Sequence, residues 1–371
     1  MRRLKVGIIG GGAVAQIMHL PYLQELDDYY QVVALCDVSA PTLEAVGDYF
    51  GIQRRHIDCH QLLKEDIDAV LILSSGSHLA PAVAAAQAGK HILVEKPITF
   101  TVSEADAVIA AAKQARVKLM VAYMKRYDPG YRYGREAVLK LKDLEYVQIT
   151  VLHPAIDLYW AHHRIRRTKG LPKPKERLAE TLPEAIANVT KAVTQGEEAR
   201  LIAETLGPDA PLEQQVALYF LTLSSCHDVN ALRGILGNPQ TVRYTDVWNS
   251  GACFTSLLEY ASGLRVNYSW IMLPELRDYR QDLGFYGSSG RVIIQFPSPF
   301  LRNMPTPVMV QGMEGEASWE KQVIVNYEEA FKEELRHFYN CVVNNKEPLT
   351  TGEDAREDLK LLRQMALAYR R

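Results

Sequence analysis

Along the first third of the chain, short β-branched or aliphatic runs alternate with turns and Ala-rich stretches of helical spacing, the texture of βαβ units. The runs lie at 5–9, 32–36, 69–73, 91–94 and 118–122. Helices are expected between them at 13–26, 41–50, 79–88 and 103–115, the last opening on Ser103 with Asp106 three residues on, close to a capping box. Right-handed crossovers then predict a doubly wound, parallel sheet.

After Asp128-Pro129-Gly130 the pattern changes. A helical stretch runs to 142 and a strand is expected at 146–152, followed by about 60 residues without a strand signal. That stretch divides by charge: Arg164, Arg166, Arg167, Lys169, Lys173, Lys175 and Arg177 stand against Glu176 alone, whereas 179–213 is acidic and helix-prone. A long helix at 213–236 leads into strands at 241–248, 253–260, 264–271, 282–286, 292–295, 308–311 and 319–325. Their hairpin-length gaps predict a large, mostly antiparallel sheet backed by helices. Two helices, 328–344 and 353–369, close the chain. The fold class is therefore α/β followed by α+β, with a first domain at 1–123, a second at 124–371, an insertion at about 155–213, and a last helix expected to pack back on the first domain.

Composition narrows the classes. The 371 residues suit about two domains, and 47% hydrophobic with 23% charged residues is a globular balance. Lys and Arg number 42 against 44 Asp and Glu, a formal charge of −2 that provides no field for nucleic acid or an anionic membrane. Cys36, Cys59, Cys226, Cys253 and Cys341 form no C-x-x-C pair, which fits a reducing compartment. The apolar start at 6–15 is broken by glycines and lacks a cleavage site, and no later run reaches about 18 apolar residues, so a cytoplasmic location is expected.

The candidate chemistry begins at Gly10-Gly11-Gly12-Ala13-Val14-Ala15, a G-x-G-x-x-A turn between strand and helix. Gly10 permits the tight turn, Gly12 lets backbone N–H groups approach a pyrophosphate, and Ala15 keeps the helix close to the sheet. Asp37 ends the second apolar run, where a carboxylate can accept from both ribose hydroxyls and would repel a 2′-phosphate. This points to a Rossmann domain that prefers NAD over NADP. Ser74-Ser75-Gly76-Ser77-His78 follows the third core run at the carboxyl edge, with His78 read either as a capping or packing residue or as part of the site. Glu95-Lys96-Pro97 follows the fourth. Proline disfavours helical geometry for Lys96 and holds it extended toward a cleft, where partial burial beside a nicotinamide cation would suit it to exchange a proton with a substrate hydroxyl, oriented by Glu95; a surface turn is the alternative.

Gly10 to Ala15, Asp37, the run from His78 to Pro97, Tyr123-Met124-Lys125-Arg126-Tyr127-Asp128-Pro129 and, far downstream, Phe331 to Leu335 and Pro348 to Ala355 together resemble the Gfo/Idh/MocA family of glucose-fructose oxidoreductases and inositol dehydrogenases. The resemblance implies hydride transfer between nicotinamide and a sugar or cyclitol carbon, a catalytic lysine at Lys96, and a histidine from a long helix of the second domain, here His227. It also implies a homodimer or homotetramer built through the open sheet. Two positions depart from the family pattern: Leu223 and Asn230 stand where many members carry Asp, and Asp228 lies about 100° around the helix from His227, which argues against inositol-type recognition. Tyr123 and Arg126 are candidates to touch the substrate or nicotinamide ribose, or else pack between domains, and Asp228 is a further candidate to bind substrate. Trp160, Tyr159 and Trp270 are candidates to stack on a sugar face, with core packing as the alternative. His153, Asp157, His162 and His163 lie on the insertion's cationic side and match no recognised zinc pattern, so no metal is expected.

The expected activity is that of an NAD(P)-dependent dehydrogenase acting on a carbohydrate-like alcohol. Two other readings share these residues: a glycosidase that oxidises its sugar transiently, and a non-catalytic, dinucleotide-sensing regulator. A glycosidase would release product without net NADH, and a regulator would bind dinucleotide without turnover.

Overall fold

The structure is a computed structural model that describes residues 2–154, 159, 162–166 and 182–370. These residues gather into two compact units, one made of 2–124, 162–166 and 331–356, the other of 125–154, 159, 182–330 and 357–370.

In the first unit β1 (Leu4–Ile9), β2 (Tyr30–Cys36), β3 (Arg54–His56), β4 (Ala69–Ile72), β5 (His91–Glu95) and β6 (Leu119–Ala122) form one sheet in the order β3-β2-β1-β4-β5-β6. Every pairing is parallel. The sheet is the doubly wound arrangement that the alternating runs predict. Strands β4 and β6 are buried at every position, because helices cover both faces of a parallel sheet. Strand β3 has no hydrophobic signal: Arg54, Arg55 and His56 pair with Ala34, Leu35 and Cys36 at the sheet edge, where one flank is solvated and polar residues are tolerated.

The intervening helices are α1 (Leu20–Glu25), α2 (Ala40–Phe50), the single turn α3 (Cys59–Leu62), α4 (Leu79–Gln87) and α5 (Val102–Ala115). The helix expected at 13–26 contains a π-helical turn, Ala15–His19, which runs directly into α1. The start of α5 also differs from expectation. Its cap is Thr101, whose extended backbone places the hydroxyl to accept from the Glu104 N–H at 3.2 Å, while the Glu104 carboxylate accepts from the Phe100 N–H at 3.3 Å. Thr101-x-x-Glu104 is thus the working pair, two residues ahead of Ser103, whose hydroxyl lies 3.0 Å from that of Thr101.

The second unit has nine strands in the order β14-β13-β12-β11-β7-β10-β9-β8-β15. They are β7 (Leu144–His153), β8 (Thr241–Trp248), β9 (Cys253–Glu259), β10 (Arg265–Met272), β11 (Arg280–Gly287), β12 (Gly290–Phe296), β13 (Val308–Glu314), β14 (Ala317–Val323) and β15 (Tyr369–Arg370). All pairs are antiparallel except β7 with β10 and β8 with β15, so the sheet is mixed but mostly antiparallel. Strand β10 alternates strictly between half-buried and buried positions, the mark of a sheet covered on one side. Among its helices are α6 (Pro129–Val138), α7 (Leu182–Gln195), α8 (Glu197–Leu206), α9 (Leu212–Phe220) and α10 (Cys226–Leu236). Helix α6 approaches the sheet through Gly134, where a Cβ would lie 2.5 Å from a side-chain carbon of Ile294. The long helix expected at 213–236 is broken by a second π-helical turn, Leu221–Ser225, between α9 and α10. The closing helices are α11 (Ala330–Val343) and α12 (Gly352–Leu367), and Phe331–Arg356 belongs to the first unit. No described helix is long and apolar enough to cross a membrane.

Thr101→Ala is expected to lower stability by about 1 kcal/mol, and Ser103→Ala by only a few tenths, in urea unfolding monitored by circular dichroism. Equal losses would move the cap back to Ser103.

Candidate functional site

The carboxyl ends of β1, β2, β4 and β5 carry the residues singled out from the sequence. Gly10 follows β1 with φ +99°, and a Cβ there would stand 2.5 Å from the Ser74 backbone nitrogen, so only glycine fits this close passage of two loops. Gly12 is exposed, and nothing stands within 4 Å of where its Cβ would be, which leaves the turn open to a ligand. Ala13 and Val14 are half-buried behind it and Ala15 is buried. Asp37, at the end of β2, accepts from the Gly11 N–H and the Ser39 N–H, both at 2.8 Å. It therefore braces the glycine turn, and each carboxylate oxygen keeps lone-pair capacity for a hydroxyl. This cradle fits a dinucleotide: an open glycine turn leads into a helix, and a carboxylate sits at the end of the next strand.

Gln16 extends the brace. Its amide donates to the carbonyls of Gly11 at 2.8 Å and Arg166 at 3.1 Å, and its oxygen accepts from the Arg166 N–H at 2.7 Å. The Arg166 guanidinium lies over the Tyr49 ring, 3.0 Å from its centroid. His162 and His163 stand nearby in sequence with ring centroids 4.1 Å apart.

After β4, Ser74 is half-buried and Ser75 exposed. His78 is 2% exposed, and its ring nitrogens lie 2.8 Å from the carbonyl of Pro97 and 2.8 Å from that of Ser74. The ring thus ties the loop after β4 to the loop after β5, and it caps no helix N–H. Lys96 is half-buried just past β5, and its peptide bond to Pro97 is cis. Glu95 is buried, with one oxygen 2.8 Å from His19 Nε2 and the other accepting the Lys96 peptide N–H at 3.1 Å. Burial pushes the Glu95 carboxyl up, but the His19 hydrogen bond and the charges of His19 and Lys96 outweigh it and leave the group below its ordinary value. Tyr123, past β6, is 1% exposed.

The second unit has a polar cluster of its own. Asp228, on α10, is 2% exposed and lies against Tyr268, Gln281 and Lys125. Tyr268 donates to it at 2.9 Å, and the Lys125 ammonium stands 3.6 Å away. Burial raises the Asp228 carboxyl against the pull of Lys125 and these hydrogen bonds. Gln281 also accepts from Tyr279 at 2.6 Å, and Lys125 lies 4.8 Å from the centroid of the Phe296 ring. Arg126 is buried against the same helix, 3.4 Å from the Asn230 side-chain oxygen and 3.5 Å from its carbonyl, and Asn230 donates to Asp358 at 2.8 Å. These contacts give Arg126 a packing role within the unit. His227 stands one residue before Asp228, just past the π-helical turn.

His153, at the end of β7, meets the rings of Tyr159, Trp270 and Tyr279 at centroid distances of 5.2, 5.2 and 6.1 Å. Trp270 is fully buried, stacked on Phe254 and Phe220, and donates to Ser224 at 3.0 Å, so it belongs to the core. Tyr159 is 4% exposed. Trp160 and Asp157 lie outside the described residues. Sequence reasoning missed Lys125, Gln281, Tyr279, His19 and Glu334. Lys125 and Glu334 had a signal, as parts of the Tyr123–Pro129 and Phe331–Leu335 runs that carry the family resemblance.

A six-stranded parallel order, a glycine turn at the end of its first strand and a carboxylate at the end of its second define a Rossmann-type fold. Residues 4–123 match the sequence profile of the Gfo/Idh/MocA oxidoreductases, described as an oxidoreductase family with an NAD-binding Rossmann fold. It is 31% identical over 137 residues to a myo-inositol 2-dehydrogenase of Thermotoga maritima, a stretch covering 36% of this chain and 40% of that protein. It is 36% identical over 131 residues to a D-apiose dehydrogenase of Paraburkholderia graminis, covering 35% of this chain and 34% of that one. The alignments therefore span well under half of these relatives. Over whole chains the fold is shared with a 3-ketoreductase of Actinomadura kijaniata solved with NADP, at TM-score 0.71, 17% identity and coverage of 100% of this chain and 98% of that one. It is likewise shared with a UDP-N-acetylglucosamine 3-dehydrogenase of Acidithiobacillus ferrooxidans, at TM-score 0.71, 19% identity and the same coverages.

Burial among these rings, helped by the Lys125 charge, pulls His153 down to about 4, so the ring is neutral in the folded protein near pH 7. Unfolded, it would titrate at its ordinary value of about 6.5. The contribution of neutral His153 is present above that value and is lost as pH falls toward 4, because the unfolded chain takes up the proton first. The slope of melting temperature against pH between about 6.5 and 4 is expected to be shallower in His153→Gln. An unchanged slope would mean that the ring is solvated.

Proposed function

We propose that this protein is an oxidoreductase that uses NAD to oxidise a secondary alcohol of a sugar, cyclitol or related polyol, or to reduce the corresponding ketone. The observation that carries the reading is the common placement, on one carboxyl edge of one sheet, of an open glycine turn, the Asp37 carboxylate bonded to it, and Lys96 anchored through Glu95. The family match and the dehydrogenase names of the relatives support it.

In this reading the Gly10–Ala15 turn and the helix behind it receive the pyrophosphate, and Asp37 accepts from the ribose hydroxyls. A 2′-phosphate placed there would meet an anion, which favours NAD. The bound nicotinamide supplies the hydride acceptor. Lys96 takes the proton of the substrate hydroxyl as the carbon bearing it gives up a hydride, and returns that proton in the reverse direction. His227 assists by holding the hydroxyl or sharing its proton. His78 and Glu95 keep the loops after β4 and β5 in place through the contacts described above.

The test is a screen of NAD⁺ reduction across sugars, cyclitols, sugar acids and anhydrosugars, with Lys96→Ala as the blank. Lys96→Ala is expected to bind NADH within a few-fold of wild type and to lose about 10² or more in kcat. Wild-type turnover in that variant would remove Lys96 from the chemistry. Asp37→Ala is expected to relax the preference for NAD over NADP in fluorescence titrations, and unchanged discrimination would count against its ribose role.

A further inference from the structure

At the amino-terminal edge of the parallel sheet, across from the glycine turn and Asp37, the first unit has a cleft of about 350 Å³. It lies between the start of β5, the end of α5 with the turn into β6, and the connection that joins α11 to α12. Ile109, Ala112, Leu119 and Pro348 form its apolar floor, all of them buried. Four basic side chains line it, and three are already engaged. Lys113 meets Glu353 at 2.6 Å, and Lys118 meets Glu347 at 2.5 Å. His91 Nδ1 accepts the Lys118 peptide N–H at 2.9 Å. A peptide N–H only donates, so that nitrogen carries no proton, and the ring is neutral with its proton on Nε2. Arg116 is the fourth: it is exposed, and among the described residues its guanidinium has neither a hydrogen bond nor an ion pair.

The backbone of Arg116 is unfavourable as well. It closes α5 at φ 56° and ψ 36°, the left-handed conformation that glycine usually takes at a helix end because a Cβ crowds the following carbonyl. Helix α2 follows that rule and closes on Gly51 at φ 70°. The capping bonds to the carbonyls of Ala112 and Lys113 come from the Arg116 backbone N–H, so the helix end has no use for the side chain. An arginine is thus held at a glycine position on the wall of a cleft, and outliers of this kind gather where ligands are held. With both lysines matched by glutamates and His91 neutral, one positive charge remains in the cleft. Its volume is at the small end of ligand pockets, roughly 300–1,000 Å³.

We propose that this cleft binds a small organic monocarboxylate, with the carboxylate on the Arg116 guanidinium and the apolar part of the molecule against Ile109, Ala112 and Leu119. One unmatched cation calls for one negative charge, and the planar guanidinium suits a carboxylate through two parallel hydrogen bonds. The buried floor favours a hydrocarbon body over a bare anion. A doubly wound sheet receives its substrate at the carboxyl edge, so a molecule held at the amino edge is a second ligand and not the alcohol proposed above. The site is independent of the role given to Lys96, which follows the far end of β5.

The experiment follows the melting temperature of the full-length protein by scanning fluorimetry with three probes. Benzoate has both the charge and the apolar body, benzamide has the same shape without the charge, and inorganic phosphate is an anion without the body. At about 10 mM, benzoate is expected to raise the melting temperature by about 2 °C or more, saturably, and the other two by less than about half as much. Arg116→Gly is the variant of choice because glycine suits the left-handed helix end. Without ligand it is expected to melt at or above wild type, and its response to benzoate is expected to vanish. A benzoate response that survives in Arg116→Gly overturns the proposal, as does a benzamide or phosphate response equal to that of benzoate, or no benzoate response in wild type. A ligand-free Arg116→Gly protein that melts below wild type gives the arginine a structural role and overturns it too.

Discussion

A carboxylate without water needs a partner, and in the first unit that partner is His19. Burial alone would drive Glu95 toward its neutral form; the bond to His19 reverses the balance and keeps it an acceptor for the Lys96 peptide N–H. Removing one member of such a pair leaves the other buried and uncompensated, a loss of about 3–5 kcal/mol. The rest of the sheet edge is organised in the same manner. Asp37 holds the loop after β1, and His78 joins the loops after β4 and β5, so three separate chain turns are laced into one rim. Preorganisation of this kind lets a rim of loops hold a ligand without being ordered at the moment of binding.

The second unit meets the same constraint differently. Asp228 is surrounded by a cation, an amide and a phenol, and burial still raises its carboxyl. Polar groups this deeply buried and this fully engaged are better placed to orient a neighbouring side chain than to meet a ligand themselves.

What could be read from the sequence follows the range over which each signal acts. The glycine turn and Asp37 obey a short-range rule, with a fixed spacing between one strand and the next, and the structure puts them where that spacing implies. The alternation of apolar runs and helices gave the parallel sheet, and the closely spaced later strands gave the mostly antiparallel one. Strand β3 escaped because an edge position removes the need for apolar residues, and its Arg-Arg-His carries no period. The α5 cap escaped because Thr101 and Ser103 both offer hydroxyls, and only backbone geometry decides between them. The polar clusters escaped for a different reason. Lys125 and Gln281 are separated by 156 residues and His19 and Glu95 by 76, so no local pattern joins them. A glutamate on an amphipathic helix such as α11 reads as solvent-facing until the fold turns it inward.

The π-helical turn at Ala15–His19 has an evolutionary corollary. Such a turn holds one residue more than an α-helical turn does, and it takes up that residue without changing the phase of the helix that follows. Deleting one residue of Ala15–His19 would let the segment relax to a regular helix with Tyr22 and Leu23 kept in the core. The change would fall within the turn itself, on the side chains from Ala15 to His19, of which His19 meets Glu95 at 2.8 Å.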